Sequence, residues 1–149
     1  MVKRKSERIK LLQKLAGQYE QLAARDLGRS TSNLLDQMDR LEQLKKFRLE
    51  YTQQFRTAGQ QGMDARSMMA FQSFLNQLDT AIAQQQQTVD AAHKDKQNKK
   101  SVWEDKHITS NVYDKTLERT LKKEQKVEDR KLQNAADEHA QYMKSRDKS

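Results

Sequence analysis

From Met68 to Leu117 one spacing governs the chain. Positions recur at intervals of three and four through Met68, Phe71, Leu75, Leu78, Ile82, Gln85, Val89, Ala92, Lys96, Lys99, Trp103, Lys106, Ser110, Tyr113 and Leu117. A seven-residue repeat held this long draws one narrow stripe along an α-helix. It calls for a second helix to cover that stripe in a left-handed supercoil. No proline interrupts it. Leu121, Leu132, Ala135 and Tyr142 continue a looser stripe beyond.

The covering helix is expected in the same chain. Ile9, Leu12, Ala16, Tyr19 and Ala23 share the spacing, and Leu15 and Leu22 widen the stripe. The pattern resumes through Leu34, Met38, Leu41, Leu44, Phe47, Tyr51 and Phe55. A helical arm over 2–57 follows, with a kink expected over 28–33, where LGRSTSN is rich in cap formers and Asn33 offers a cap. Gly59 and Gly62 predict a turn over 58–64, with Asp64 or a neighbour as N-cap of a second arm over 65–146. Folding about residue 61 sets Tyr51 against Phe71, Phe47 against Leu75, Leu44 against Leu78, Leu41 against Ile82 and Leu34 against Val89. Further out it sets Tyr19 against Trp103 and Ile9 against Tyr113. The expected fold is all-α, a single domain built as a long antiparallel two-helix coiled-coil hairpin with arms of ~80 Å. Residues beyond about 120 have no partner in the first arm and form a basic amphipathic overhang.

Composition agrees with a thin structure. Hydrophobic residues make up 34% and charged residues another 34%. Ordinary globular domains hold roughly 45–50% apolar residues. Such a chain buries stripes rather than a thick core. Cysteine is absent, which excludes disulfide and thiolate chemistry. The basic start MVKRKSERIKLLQKLAG lacks the apolar core of a signal peptide. No apolar run approaches the ~20 residues of a membrane span, so a soluble, cytoplasmic protein is expected. The net charge of +8 is uneven. Residues 1–29 carry 8 basic and 3 acidic side chains, 30–92 carry 6 and 7, and 93–149 carry 15 and 11. A fold about residue 61 would bring both basic ends to one pole, suited to an acidic partner surface, nucleic acid or anionic lipid.

The pattern argues against catalysis. His93, His107 and His139 lack metal-ligand spacing, so neither metal nor cofactor is expected. The carboxylate pairs Glu104–Asp105, Glu128–Asp129 and Asp137–Glu138 have no pocket to desolvate them. There is no glycine-rich phosphate loop, and the reading is of a non-enzyme. The basic start could serve as a nucleic-acid arm, but the seam turns back on itself and no aromatic sits among the basic residues. Nucleic acid is therefore not the expected partner, and a nucleic-acid-binding coiled coil stays as the alternative of another class. Around the turn, Phe47, Tyr51, Phe55, Phe71 and Phe74 exceed what a two-helix seam can cover. Those on the seam pack the hairpin, whereas Phe74 lies beside it and offers an apolar docking patch.

Several runs together resemble a known family. They are EQLKKFRLEYTQQF, the Gly-containing turn, MAFQSFLNQLDTAIAQQQQTV, the Trp in KSVWEDK, and LERTLKKEQKVEDRKLQNAADEHA with Glu128, Asp129, Asp137 and Glu138. Across essentially the whole chain they are similar to the FliJ family of the flagellar type III export apparatus. The resemblance implies a fold similar to the stalk subunit of rotary ATPases. It implies a chaperone-like, non-enzymatic role in flagellum biogenesis and motility, at the cytoplasmic side of the inner membrane through protein contacts. The implied partners are the export ATPase hexamer FliI, the export gate protein FlhA and escort chaperones, with the free protein monomeric. By position the gate-facing candidates are Leu44, Phe47, Tyr51, Phe74, Leu78, Ala81 and Gln85. The ATPase-facing candidates are Lys5, Ile9, Leu12, Leu117 and Leu121. The related stalk protein of a virulence injectisome is the nearer alternative.

Overall fold

The computed structural model describes residues 4–148. It contains two helices, α1 (Lys5–Gln60) and α2 (Ala65–Asp147), which pack against each other in an all-α hairpin. The first two residues of the expected arm, 2 and 3, lie outside the described residues.

The connection is short because its ends are capped locally. Gln61 and Gly62 donate backbone N–H groups to the carbonyls of Thr57 and Gly59, each at 3.3 Å. Gly62 then reverses the chain at φ 94°, a conformation that side-chain-bearing residues adopt at a cost. Asp64 opens α2, its carboxylate accepting from the Ser67 N–H at 2.7 Å and its carbonyl from the Met68 N–H at 3.0 Å. The Ser67 bonds hold the Asp64 carboxyl below its usual range.

The kink expected over 28–33 does not break the helix: α1 runs through these residues without interruption. The cap-forming side chains are occupied elsewhere. Thr31 Oγ1 donates back to the Leu27 carbonyl at 2.8 Å, Ser30 Oγ donates across to Asp95 Oδ2 at 2.7 Å, and Asn33 accepts from Gln37 at 3.2 Å. None acts as a cap, and the Thr31 hydroxyl shares the Leu27 carbonyl without ending the helix.

An unbroken α1 keeps one heptad frame, and that frame is not the most apolar one. The buried and half-buried series runs Ser6, Ile9, Gln13, Ala16, Glu20, Ala23, Leu27, Ser30, Leu34, Gln37, Leu41, Leu44, Arg48, Tyr51 and Phe55. Leu12, Tyr19, Met38 and Phe47, expected on the seam, stand one position aside and are 44%, 50%, 44% and 46% exposed. The reversal lies midway between Gln60 and Ala65 rather than at residue 61. Tyr51 accordingly meets Phe74 at 4.7 Å between ring centroids, closer than Phe71 at 5.1 Å. In α2 the expected seam is the one the structure uses from Phe71 to Trp103 and again at Ser110, Tyr113 and Leu117.

The chain divides into two compact units. The hairpin unit is Leu22–Trp103. Its core is Leu34, Leu41, Val89 and Ala92, flanked by Ile82. The terminal unit combines the described parts of 1–21 and 104–149. It buries Ile9, Ala16 and Leu117 with Ser6, Ser110 and Thr120. From Gln125 onward every described residue of α2 is exposed. Side-chain pairs one turn apart support that bare stretch: Gln125 to Asp129 at 3.0 Å and Gln133 to Asp137 at 3.2 Å.

Two glycine substitutions separate local propensity from backbone geometry. A Cβ at Gly28, inside α1, meets nothing within 4 Å. Gly28→Ala should therefore stabilise the protein by about 0.5–1 kcal/mol. A Cβ at Gly62 also meets nothing, but its positive φ strains any side chain there. Gly62→Ala should destabilise by about 1 kcal/mol or more. Urea unfolding followed by circular dichroism at the helix band measures both.

Candidate docking surfaces

In the hairpin unit the aromatic residues form one connected cluster. Phe47 stands edge-on to Phe74 at 6.2 Å and stacks with Tyr51 at 6.4 Å. Tyr51 also reaches Phe74 and Phe71, and Phe71 meets Phe55 at 5.3 Å. Such pairs add to area burial through their ring quadrupoles. Burial grades across the cluster. Tyr51, Phe55 and Phe71 are half-buried, while Phe47 and Phe74 are 46% and 37% exposed. The exposed pair is the outer edge of a ring stack whose inner members hold the helices together.

The remaining gate-facing candidates fall into different surroundings. Leu78 is buried and belongs to the interhelix packing. Leu44, Phe47 and Gln85 line one open groove of about 400 Å³ with Arg40 and Gln43. Ala81 lines a separate hollow with Ser73, Asn76, Gln77, Thr80 and Gln84. Gln85 is held in place: its Nε2 donates to the Gln37 carbonyl and to Gln37 Oε1, both at 2.9 Å. Arg48 binds Asp79 through two nitrogens, Nε to Oδ1 and Nη2 to Oδ2, and this hydrogen bond lowers the Asp79 carboxyl. Arg40 and Gln43 were not among the sequence candidates. The available signal is helical spacing, since Arg40 stands one heptad and Gln43 one turn before Phe47.

In the terminal unit the ATPase-facing candidates also divide. Ile9 and Leu117 are 7% and 8% exposed and pack within the unit. Lys5 and Leu121 line a hollow of about 470 Å³ with Arg4, Thr120, Lys123 and Glu124. Leu12 lines a smaller one of about 160 Å³ with Leu15, Tyr19, Lys106, Thr109 and Tyr113. The Lys106 ammonium sits 5.6 Å from the Tyr19 ring centroid. Tyr113 thus lines a hollow with Leu12 and Ala16, where simple folding about residue 61 had set it against Ile9.

Three carboxylates tie the terminal unit together. Arg4 precedes α1 and has no acceptor side chain to cap it. Glu124 of α2 accepts from the Ser6 N–H at 3.2 Å instead, placing a negative charge at the positive start of the helix. The bonds from Ser6 lower the Glu124 carboxyl. Glu20 accepts from His107 Nδ1 at 2.6 Å, and this bond, with a smaller one from Ser110, holds its carboxyl below the usual range. His107 Nε2 lies 3.3 Å from the Asn111 side-chain amide. Gln13 Nε2 adds a bond to Asp114 at 2.7 Å.

Among the described residues no group of three or more His, Cys, Asp or Glu could hold a metal ion. No described helix is long and apolar enough to cross a membrane. These features define a helical-hairpin interaction protein, with polar interhelix layers and apolar surface left open on each unit. The family model for the flagellar FliJ protein matches residues 5–149, and the chain belongs to that family. It is accordingly a component of the flagellar type III export apparatus. No curated protein and no solved structure matches it.

The carboxylate bonds set an acid limit. A carboxyl lowered by folding contributes stability above its unfolded pKa of about 4, and that contribution is lost as pH falls through the folded value. Glu20→Gln should therefore cost about 1 kcal/mol at neutral pH, and the gap to the parent should close progressively below pH ~4. Unfolding curves at stepped pH values measure the gap.

Proposed function

We propose that this chain couples the export ATPase ring to the export gate. The hairpin unit would dock on the gate through the exposed edge of its aromatic cluster. The terminal unit would engage the ATPase through the hollows beside Lys5, Leu12 and Leu121. Escort chaperones of export substrates are the third class of partner in this reading. The protein acts without catalysis of its own, at the cytoplasmic face of the inner membrane, held there by protein contacts.

The observation that carries the reading is the placement of Phe47 and Phe74. Both are large, apolar and exposed, yet both are fixed by ring contacts to Tyr51. A pre-ordered aromatic edge loses little side-chain entropy on binding, the property of an interface anchor. Leu44, Arg40 and Gln85 flank it in one groove, offering polar contacts around an apolar centre.

Because Leu78 is buried, its truncation would confuse folding with docking. The cleaner test is Phe47→Ala with Phe74→Ala. Affinity for the purified gate domain should fall by about tenfold or more, equivalent to ~1.4 kcal/mol, with far-UV helix content unchanged. Stimulation of the export ATPase by the same variant should persist. Gate binding that survives the double substitution would refute the assignment. Swimming motility in a strain lacking the gene distinguishes a flagellar from an injectisome role.

A further inference from the structure

In the hairpin unit two lysines occupy seam positions. Lys96 and Lys99 continue the spacing of the buried Val89 and Ala92, and both are half-buried. Ser30 bonds to Asp95, so in an antiparallel pair the residues of α2 that follow Asp95 face those of α1 that precede Ser30. That stretch is small, with Ala23 buried, Ala24 exposed, Leu27 half-buried and open space where a Cβ would stand on Gly28. Lysine stems can lie over such a surface and keep their ammonium groups at its rim. Neither ammonium has an ion-pair partner among the described residues. A charge on a seam weakens the helix pair, and no described carboxylate forms an ion pair with either of these two.

Other cations gather at the same level. Lys94 and Lys100 flank the seam lysines on α2, and Arg25 and Arg29 stand on the facing stretch of α1. All four are exposed. Of the nearby carboxylates, Asp95 accepts from Ser30 and Asp90 from Gln86, while Asp26 stands between the arginines and Glu104 one turn beyond Lys100.

We propose that this basic belt is the docking site for a short acidic stretch of a partner protein. Lys94 to Lys100 spans about 9 Å of helix, which an extended strand crosses in about three residues, so a run of three or four carboxylates matches it. The run KDKQNKK contains no aromatic ring on which a base could stack, which disfavours nucleic acid. It contains no apolar side chain to enter a lipid surface, which disfavours a membrane. The site is separate from the aromatic edge and does not depend on the gate or ATPase reading.

Titration of the full chain with a fluorescent hexaglutamate peptide tests the proposal, with a hexaglutamine peptide as blank. Lys96→Gln with Lys99→Gln and Lys100→Gln should weaken binding about tenfold or more, and Lys115→Gln with Lys126→Gln and Lys144→Gln, the same charge change elsewhere, by no more than about twofold. Equal losses in the two variants would mean that net charge alone attracts the peptide, and the belt would be rejected. Binding of a DNA duplex or of phosphatidylglycerol vesicles that the peptide fails to displace would also overturn it. Lys96→Leu with Lys99→Leu keeps the test independent of folding defects. It should raise the thermal midpoint of the free protein by about 3 °C or more while abolishing peptide binding. A lowered midpoint would show that the lysines stabilise the seam, and the proposal would fail.

Discussion

A pair of helices buries one stripe between them, and every side chain on that stripe must be satisfied across it. In this protein the stripe of α1 is interrupted by Gln13, Glu20, Ser30, Gln37 and Arg48, and each finds its partner on α2: Asp114, His107, Asp95, Gln85 and Asp79. These layers bury little apolar area. They replace solvent hydrogen bonds with protein ones, which yields modest net stability but strong preference for one alignment. A slip of one helix past the other by a turn would leave each of them facing the wrong residue. Apolar layers such as Leu34, Leu41, Val89 and Ala92 supply cohesion between them.

Spending seam positions on polar groups has a consequence outside the seam. Apolar side chains that a more hydrophobic frame would cover are left on the surface. Leu12, Leu15 and Tyr19 are exposed in the terminal unit, and Phe47 and Phe74 in the hairpin unit. On a pair of helices such surface is available to partners without any rearrangement of a core. The FliJ family places this chain in an export apparatus, where a non-enzymatic component acts through its contacts. Phe47 and Phe74, the proposed gate contacts, are among the residues the internal register leaves exposed.

Much of this was legible in the sequence, for definite reasons. The repeat from Met68 to Leu117 calls for a covering helix, and a second stripe in the same chain beyond two glycines makes that helix its own first arm. Asp64 opens α2 because a short acceptor side chain before a helix meets its free N–H groups. The α1 frame was harder to read. Leu12, Tyr19 and Met38 are more apolar than Gln13, Glu20 and Gln37, so hydrophobic spacing alone selects the neighbouring stripe. The interruption at 28–33 was misleading for a related reason. Ser30 and Thr31 look like helix breakers until Asp95 and the Leu27 carbonyl occupy their hydroxyls.

The sequence by itself determined the class of fold and most of the stripe of α2, though Met68 and Lys106, expected on it, are exposed and His107 is half-buried beside Lys106. Those depend on local propensity and on a period intrinsic to one helix. Only the tertiary structure decided which stripe of α1 meets it. It also decided that Leu78 is packing rather than surface and that Phe47 and Phe74 form one exposed edge. It decided, too, that Glu124 caps the start of a helix more than a hundred residues away in sequence. Each of those turns on a pairing between two distant side chains, and the energy of a pair cannot be read from either member alone.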